Sequence, residues 1–96
     1  MFAWDPQKAI VNFEKHGVSF EEAATVFADA NGLDWEDFAH SAGEPRYKRL
    51  GMSIGSDILI VVYTVRRSRD GKETIRIISA RRASRKERKA YSRSRD

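Results

Sequence analysis

The stretch IRIISARRAS, residues 75–84, sets Arg76, Arg81 and Arg82 in and just after an apolar, strand-like run, and VVYTVR at 61–66 ends a second such run on Arg66. Arginines in a strand are more than solubilisers, because one face of a strand is desolvated and the other presents its side chains in a fixed row. A planar guanidinium donates two hydrogen bonds to one phosphate, where a lysine acts as a point charge. Positioned arginines therefore suit the stabilisation of a phosphorane-like transition state. RNA carries its own nucleophile, the 2′-hydroxyl. Metal-free cleavage then needs such cations, a base for the 2′-OH proton and an acid for the 5′-oxygen.

Candidate proton carriers are His16, whose ordinary pKa of roughly 6.5 suits transfer near neutrality, and Glu44. Arg46 can clamp a phosphate beside Glu44, or the two can simply pair at a strand entrance. Lys15 and His16 precede Gly17, and basic residues there also offset a helix dipole; Lys15 otherwise serves as an RNA contact. His40, beside Ser41, is read as a loop residue rather than a second carrier. Arg82, Arg85, Arg88 and Tyr91 are the candidate RNA contacts of the basic C-terminal part, with Tyr91 offering a ring for stacking. Tyr63, inside an apolar strand, is assigned to packing, Trp4 to the core, and Trp35 to a loop or partner contact.

The elements that must position these groups follow from local signals. FAW at 2–4 is a brief strand. Asp5 and Pro6 start a helix over 6–16, as N-cap and first helical residue, and Gly17 stops it. Ser19 and Glu22 form a capping box for a second helix over 20–28. Residues 29–45 read as a long acidic loop with room for a short turn around 35–38. Alternation of Lys48, Leu50, Met52 and Ile54 with polar or small residues predicts a half-buried strand. ILIVVYTVR at 58–66 is apolar on both faces and predicts a central strand, and TIRIISAR at 74–81 predicts its neighbour. Ser84 and Glu87 repeat the capping box, starting a third helix near residue 85.

The expected fold is a small α+β unit over residues 1–96. It has an antiparallel sheet, a three-stranded meander plus a short N-terminal strand, packed with two N-terminal helices and one C-terminal helix, and a frayed basic end at about 92–96. In an antiparallel pair Arg66 and Arg81 fall at opposite ends. Arg76 is accordingly expected near the site with one of them, unless salt bridges to Glu14, Glu21 or Glu44 occupy these arginines.

Charge is divided along the chain. Residues 1–65 hold 5 Lys/Arg against 10 Asp/Glu, and residues 66–96 hold 13 against 4. A cationic half attracts a polyanion, since each neutralised phosphate releases a counterion; a solvated basic tail is the competing explanation. The 96 residues include no cysteine, which removes disulfides and thiolate chemistry. Glycine-rich phosphate loops, HExxH helices and Cys/His clusters are absent, and two distant histidines do not complete a zinc site. No cofactor and no metal are expected. No apolar run approaches the ~20 residues of a membrane span, and MFAWDP lacks the basic start and the long apolar stretch of a signal peptide. The expectation is a soluble cytoplasmic protein without membrane contact.

With these elements placed, FAWDPQKAIVNFEKHGVSFEEAATVF (2–27), HS with Glu44 and Arg46 (40–46), VVYTVR (61–66), IRIISAR (75–81), and ER with Tyr91 (87–91) together resemble the BrnT family of bacterial type II toxins. Pro45 stands where that family more often has an acidic residue, and ADANG follows Phe27 where Asp-Pro is common. The resemblance implies a small endoribonuclease with a RelE-like fold, acting on mRNA. It also implies a BrnA-type antitoxin whose DNA-binding domain lets the complex repress its own promoter. Two other readings compete. One is a non-catalytic RNA- or DNA-binding module using the basic C-terminal half; the other, compatible with the nuclease, is an interaction protein whose basic surface an acidic partner segment covers.

Overall fold

The computed structural model describes residues 1–94. Of the tail expected to fray, residues 92–94 are helical, and Arg95 and Asp96 lie outside the described residues. The chain runs β1 (Phe2–Ala3), α1 (Pro6–His16), α2 (Phe20–Ala24), a 3-10 turn (Thr25–Ala28), β2 (Leu33–Glu36), a second 3-10 turn (Phe38–His40), β3 (Tyr47–Met52), β4 (Ile58–Arg67), β5 (Glu73–Arg82) and α3 (Arg85–Ser94). No helix among the described residues is long and apolar enough to cross a membrane.

The first helix has the predicted bounds because its ends are set locally. Asp5 Oδ1 accepts from the Gln7 amide at 2.9 Å, and Pro6 occupies the first turn. Gly17 closes the helix at φ 69°, its N–H donating to Phe13 O at 2.8 Å; glycine takes that left-handed conformation without a Cβ penalty. The second helix differs from expectation. It is α-helical only to Ala24 and then tightens to 3-10, where the Thr25 hydroxyl donates to Glu22 O at 2.6 Å and competes with the helical ladder. Its capping box is half made. Ser19 accepts from the Glu22 amide at 3.0 Å, but the Glu22 carboxylate accepts from the Ser53 hydroxyl at 2.7 Å and so ties α2 to the β3–β4 turn.

The α+β class holds, and the meander β3-β4-β5 and the short N-terminal strand β1 are present; the correction is that the sheet is mixed rather than antiparallel and gains a fifth strand, in the order β1-β5-β4-β3-β2. β1 is parallel to β5 and the other pairs are antiparallel. β2 arises inside the segment expected to be a loop. Its alternation, Leu33-Asp34-Trp35-Glu36, is only four residues long, so the ladder to β3 holds it rather than its own pattern. β3 ends at Met52 rather than residue 54; Ile54 is exposed in the following turn.

Strand parity sorts the side chains onto two faces. One face carries Leu59, Val61, Ile77 and Ala80 beneath Val18, Phe20, Ala23 and Val26 of the α1–α2 layer. The other carries Leu50 and Ile60 beneath Ala83 and Tyr91 of the α3 segment. A bulge keeps the two long strands in phase: Val62 faces Ser79 and Tyr63 faces Ile77, leaving Ile78 unpaired. The outer edge of β5 beyond β1 is closed by Asn12, which is buried. Its amide accepts from Ala80 N at 3.1 Å and donates to Ala80 O at 2.8 Å and Val18 O at 3.1 Å. One side chain thus stands in for a strand and fixes α1 alongside β5.

Candidate functional site

Register and parity put Arg66, Arg76 and Arg81 on the same face of the sheet, the face that α3 covers in part. Thr64 faces Arg76, Arg66 faces Thr74 and Ile60 faces Arg81. Arg66 and Arg76 are therefore diagonal neighbours, a relationship that brings Cα atoms to about 7–8 Å. Arg81 lies further along β5, in the row that α3 covers.

Their partners differ. Arg66 pairs with Glu44 through Nε at 3.2 Å and Nη2 at 3.4 Å, an exposed contact. Arg81 is held by both oxygens of Glu87 at 2.8 and 3.0 Å. This hydrogen-bonded pair raises the arginine pKa further and, despite some desolvation, lowers Glu87 to about 2. Arg76 is partly exposed and makes no hydrogen bond or ion pair with its side chain among the described residues. Of the two arginines expected to join Arg76, the one beside it is Arg66. Arg81 is tied to the start of α3, because the same Glu87 carboxylate also accepts from the Ser84 amide at 2.7 Å and completes a capping box.

Between the part of this face beneath α3 and the part bordered by the 37–46 segment runs an open row, Trp35–Lys48–Val62–Ser79, one residue from each of β2 to β5. On one side lie Leu50 and Ile60 under Tyr91. On the other, Thr64 is buried with its hydroxyl donating to Pro45 O at 2.8 Å. At the β5 end the row meets a cleft of about 330 Å³ lined by Gln7, Lys8, Val11, Asn12, Lys15, His16, Ile78 and Ser79. Lys15 and His16 thus share a cleft with Ser79, whose neighbour on the same face of β5 is Arg76. A larger cleft, about 600 Å³, lies over Ala24, Ala28 and Met52 and contains none of the predicted site residues.

The remaining candidates sit elsewhere. Tyr91 is 2 % exposed, with its hydroxyl donating to Asp29 Oδ2 at 2.6 Å, which corrects the expectation of a ring available for stacking; the residue is the anchor of α3. Burial alone would raise the pKa of Asp29, but hydrogen bonds from the Met52 amide, Tyr91 and the Asn31 amide hold it below the ordinary value. Arg82 faces the other side, with Nη1 donating to His16 O at 3.3 Å and Nη2 at 3.8 Å from Asp57. Arg88 donates to Ala83 O at 3.0 Å, and Arg85 is exposed on α3. Glu44 does not pair with Arg46. Arg46 is half-buried beside Ser41, whose hydroxyl accepts from its amide at 3.0 Å. His40 bonds Asp37 at 2.9 Å, as a loop residue would. Lys8, Lys48, Trp35 and Ser79 escaped sequence reasoning as site residues; that Trp35 shares a face with Lys48 follows only from the register of β2 on β3.

Residues 4–87 match the family model described as the ribonuclease toxin, BrnT, of type II toxin-antitoxin systems. The chain belongs to the BrnT family. Among solved structures it is similar to the Brucella abortus ribonuclease toxin BrnT, with a TM-score of 0.65 and 25 % identity, covering 88 % of this chain and 99 % of that one. The comparison with curated proteins finds no match. In BrnT terms, the N-terminal segment that carries the resemblance builds β1, α1, α2 and the 3-10 turn. IRIISAR is the body of β5 and carries Arg76.

Proposed function

We propose that the chain is a metal-independent endoribonuclease toxin that cuts mRNA through the 2′-hydroxyl, and that an antitoxin of the BrnA type neutralises it. The observation that carries this reading is Arg76, a partly exposed guanidinium in mid-sheet without an acidic partner among the described residues, on the same face as Arg66 and Lys48. A cation so placed is preorganised for a phosphate. His16 takes the 2′-OH proton as O2′ attacks phosphorus. Arg76 and Arg66 take the charge that builds on the non-bridging oxygens. The P–O5′ bond breaks as the 5′-oxygen gains a proton from water, leaving a 2′,3′-cyclic phosphate and a 5′-hydroxyl. Arg66 reaches the phosphate by leaving Glu44, an exchange that costs little for an exposed pair. Lys15, Arg46, Arg85 and Arg88 extend the cationic field, and the RelE-like fold belongs to the same reading.

Guanidinium and imidazole side chains alone supply the groups that this cleavage needs. An acidic antitoxin segment laid over these cations would mask both charge and activity. The test is the chemistry of the cut ends. Cyclic phosphate and 5′-hydroxyl ends, with growth arrest on expression alone and rescue by the partner, are expected. Products bearing 3′-hydroxyl and 5′-phosphate ends would contradict the mechanism.

A further inference from the structure

Trp35 is 42 % exposed on the edge strand β2, whereas Trp4 packs edge-on against Phe20 at 6.0 Å between centroids. Its register partner is Lys48, followed across the sheet by Val62 and Ser79, all partly exposed. The ammonium of Lys48 is held loosely, 4.0 Å from Asp37, whose carboxylate also holds His40. On the opposite face of the same strands, a cleft of about 350 Å³ reaches the rim at Trp35 and is lined by Asp34, Glu36, Tyr47 and Tyr63. Asp34 is paired with Arg49, but the Glu36 carboxylate makes no ion pair among the described residues. Glu36 thus leaves a carboxylate without an ion pair beside Trp35 on that face, whereas on the other face Lys48 is shared loosely with Asp37 and Arg76 has no acidic partner among the described residues; like charge disfavours a phosphate on the Glu36 side.

We propose that Trp35 is a base-stacking platform at the β2 end of the open row Trp35–Lys48–Val62–Ser79. Single-stranded RNA crosses the strands from β2 to β5, laying one nucleobase on the indole and the adjoining phosphate on Lys48, before reaching Arg76. The span from β2 to β5 is three strand spacings, about 14 Å, within reach of a short oligonucleotide. Stacking on an exposed aromatic is sequence-tolerant, because every base has a π-face, and lysine supplies the non-specific charge. The proposal rests on the RNA reading above and adds a residue that the phosphate chemistry does not require.

The experiment measures binding of a short 2′-O-methyl oligonucleotide, which lacks the nucleophile and stays intact, to the full chain. Trp35→Ala should weaken affinity about tenfold or more at an unchanged unfolding midpoint, and Trp35→Phe should retain most of it. Lys48→Ala should lower the slope of log affinity against log salt by about 0.7. In a Trp4→Phe background the remaining indole fluorescence should be quenched on binding. If Trp35→Ala binds as tightly as the wild type while Arg76→Ala weakens, the stacking proposal is overturned and the RNA reading stands. Unchanged RNA affinity with loss of the antitoxin complex would assign Trp35 to a protein interface instead. Absence of binding by the wild type would end both the proposal and the reading beneath it.

Discussion

Arg81 donates from Nη1 and Nη2 to the two oxygens of Glu87 at 2.8 and 3.0 Å, while that carboxylate also accepts from the Ser84 amide at 2.7 Å. A strand end and a helix start are thereby locked by one acid. Hydrogen bonding to Arg81 holds the Glu87 pKa near 2, below its ordinary 4.5. A carboxylate depressed in the folded state stabilises above its unfolded value, and loses that contribution as pH falls through the folded one. The loss therefore lies between about pH 4.5 and 2. Glu87→Gln should cost about 1–2 kcal/mol at pH 7 and flatten the acid limb of a urea-midpoint profile across that window. A profile identical to that of the wild type would contradict the lock.

Tyr91 and Asp29 give a second prediction. Tyr91→Phe removes the hydroxyl donor to Asp29 Oδ2 and should lower stability by about 1–2 kcal/mol, read by thermal unfolding, with RNA affinity per folded molecule unchanged. Weaker RNA binding at full stability would return Tyr91 to the RNA surface.

Asn12 bonds the backbone of both Ala80 and Val18. Asn12→Ala strands three buried backbone groups, an expected loss of about 3 kcal/mol in denaturant unfolding. A loss below about 0.5 kcal/mol would show that α1 does not depend on this edge contact.

Glu44 separates two roles. As the partner of Arg66 in an exposed pair, its replacement by Gln should leave stability within about 0.5 kcal/mol and tighten RNA binding by freeing the guanidinium. As a general base, its loss would instead reduce the cleavage rate by about a hundredfold or more. Affinity and single-turnover rate measured on Glu44→Gln distinguish these, and the account expects the first.

The parts of the fold legible in the sequence were those fixed by neighbouring residues. Asp5-Pro6 and Gly17 bound α1, Ser84 with Glu87 begins α3, and the apolar run at 58–66 is the central strand. What failed depended on contacts distant in sequence. β2 is four residues held by its ladder to β3. Tyr91 looks solvent-facing in a helix dense with cations, yet it is the one residue of that helix buried against β3 and Asp29. Of the candidate site, Arg76 was legible as an arginine out of place in an apolar strand. That Arg66 lies beside it while Arg81 is taken by Glu87 follows from register, bulge and helix position, none of which a local pattern encodes. The row from Trp35 to Ser79 needs four strands in register and has no signature in any one of them.

The most direct test of the central claim is cleavage of single-stranded RNA in EDTA by the wild type and by Arg76→Ala at matched stability. The account predicts cutting by the wild type without divalent metal, and a rate lower by about a hundredfold or more in the variant. Intact RNA with the wild type at protein excess, or an unchanged rate in the variant, would contradict it.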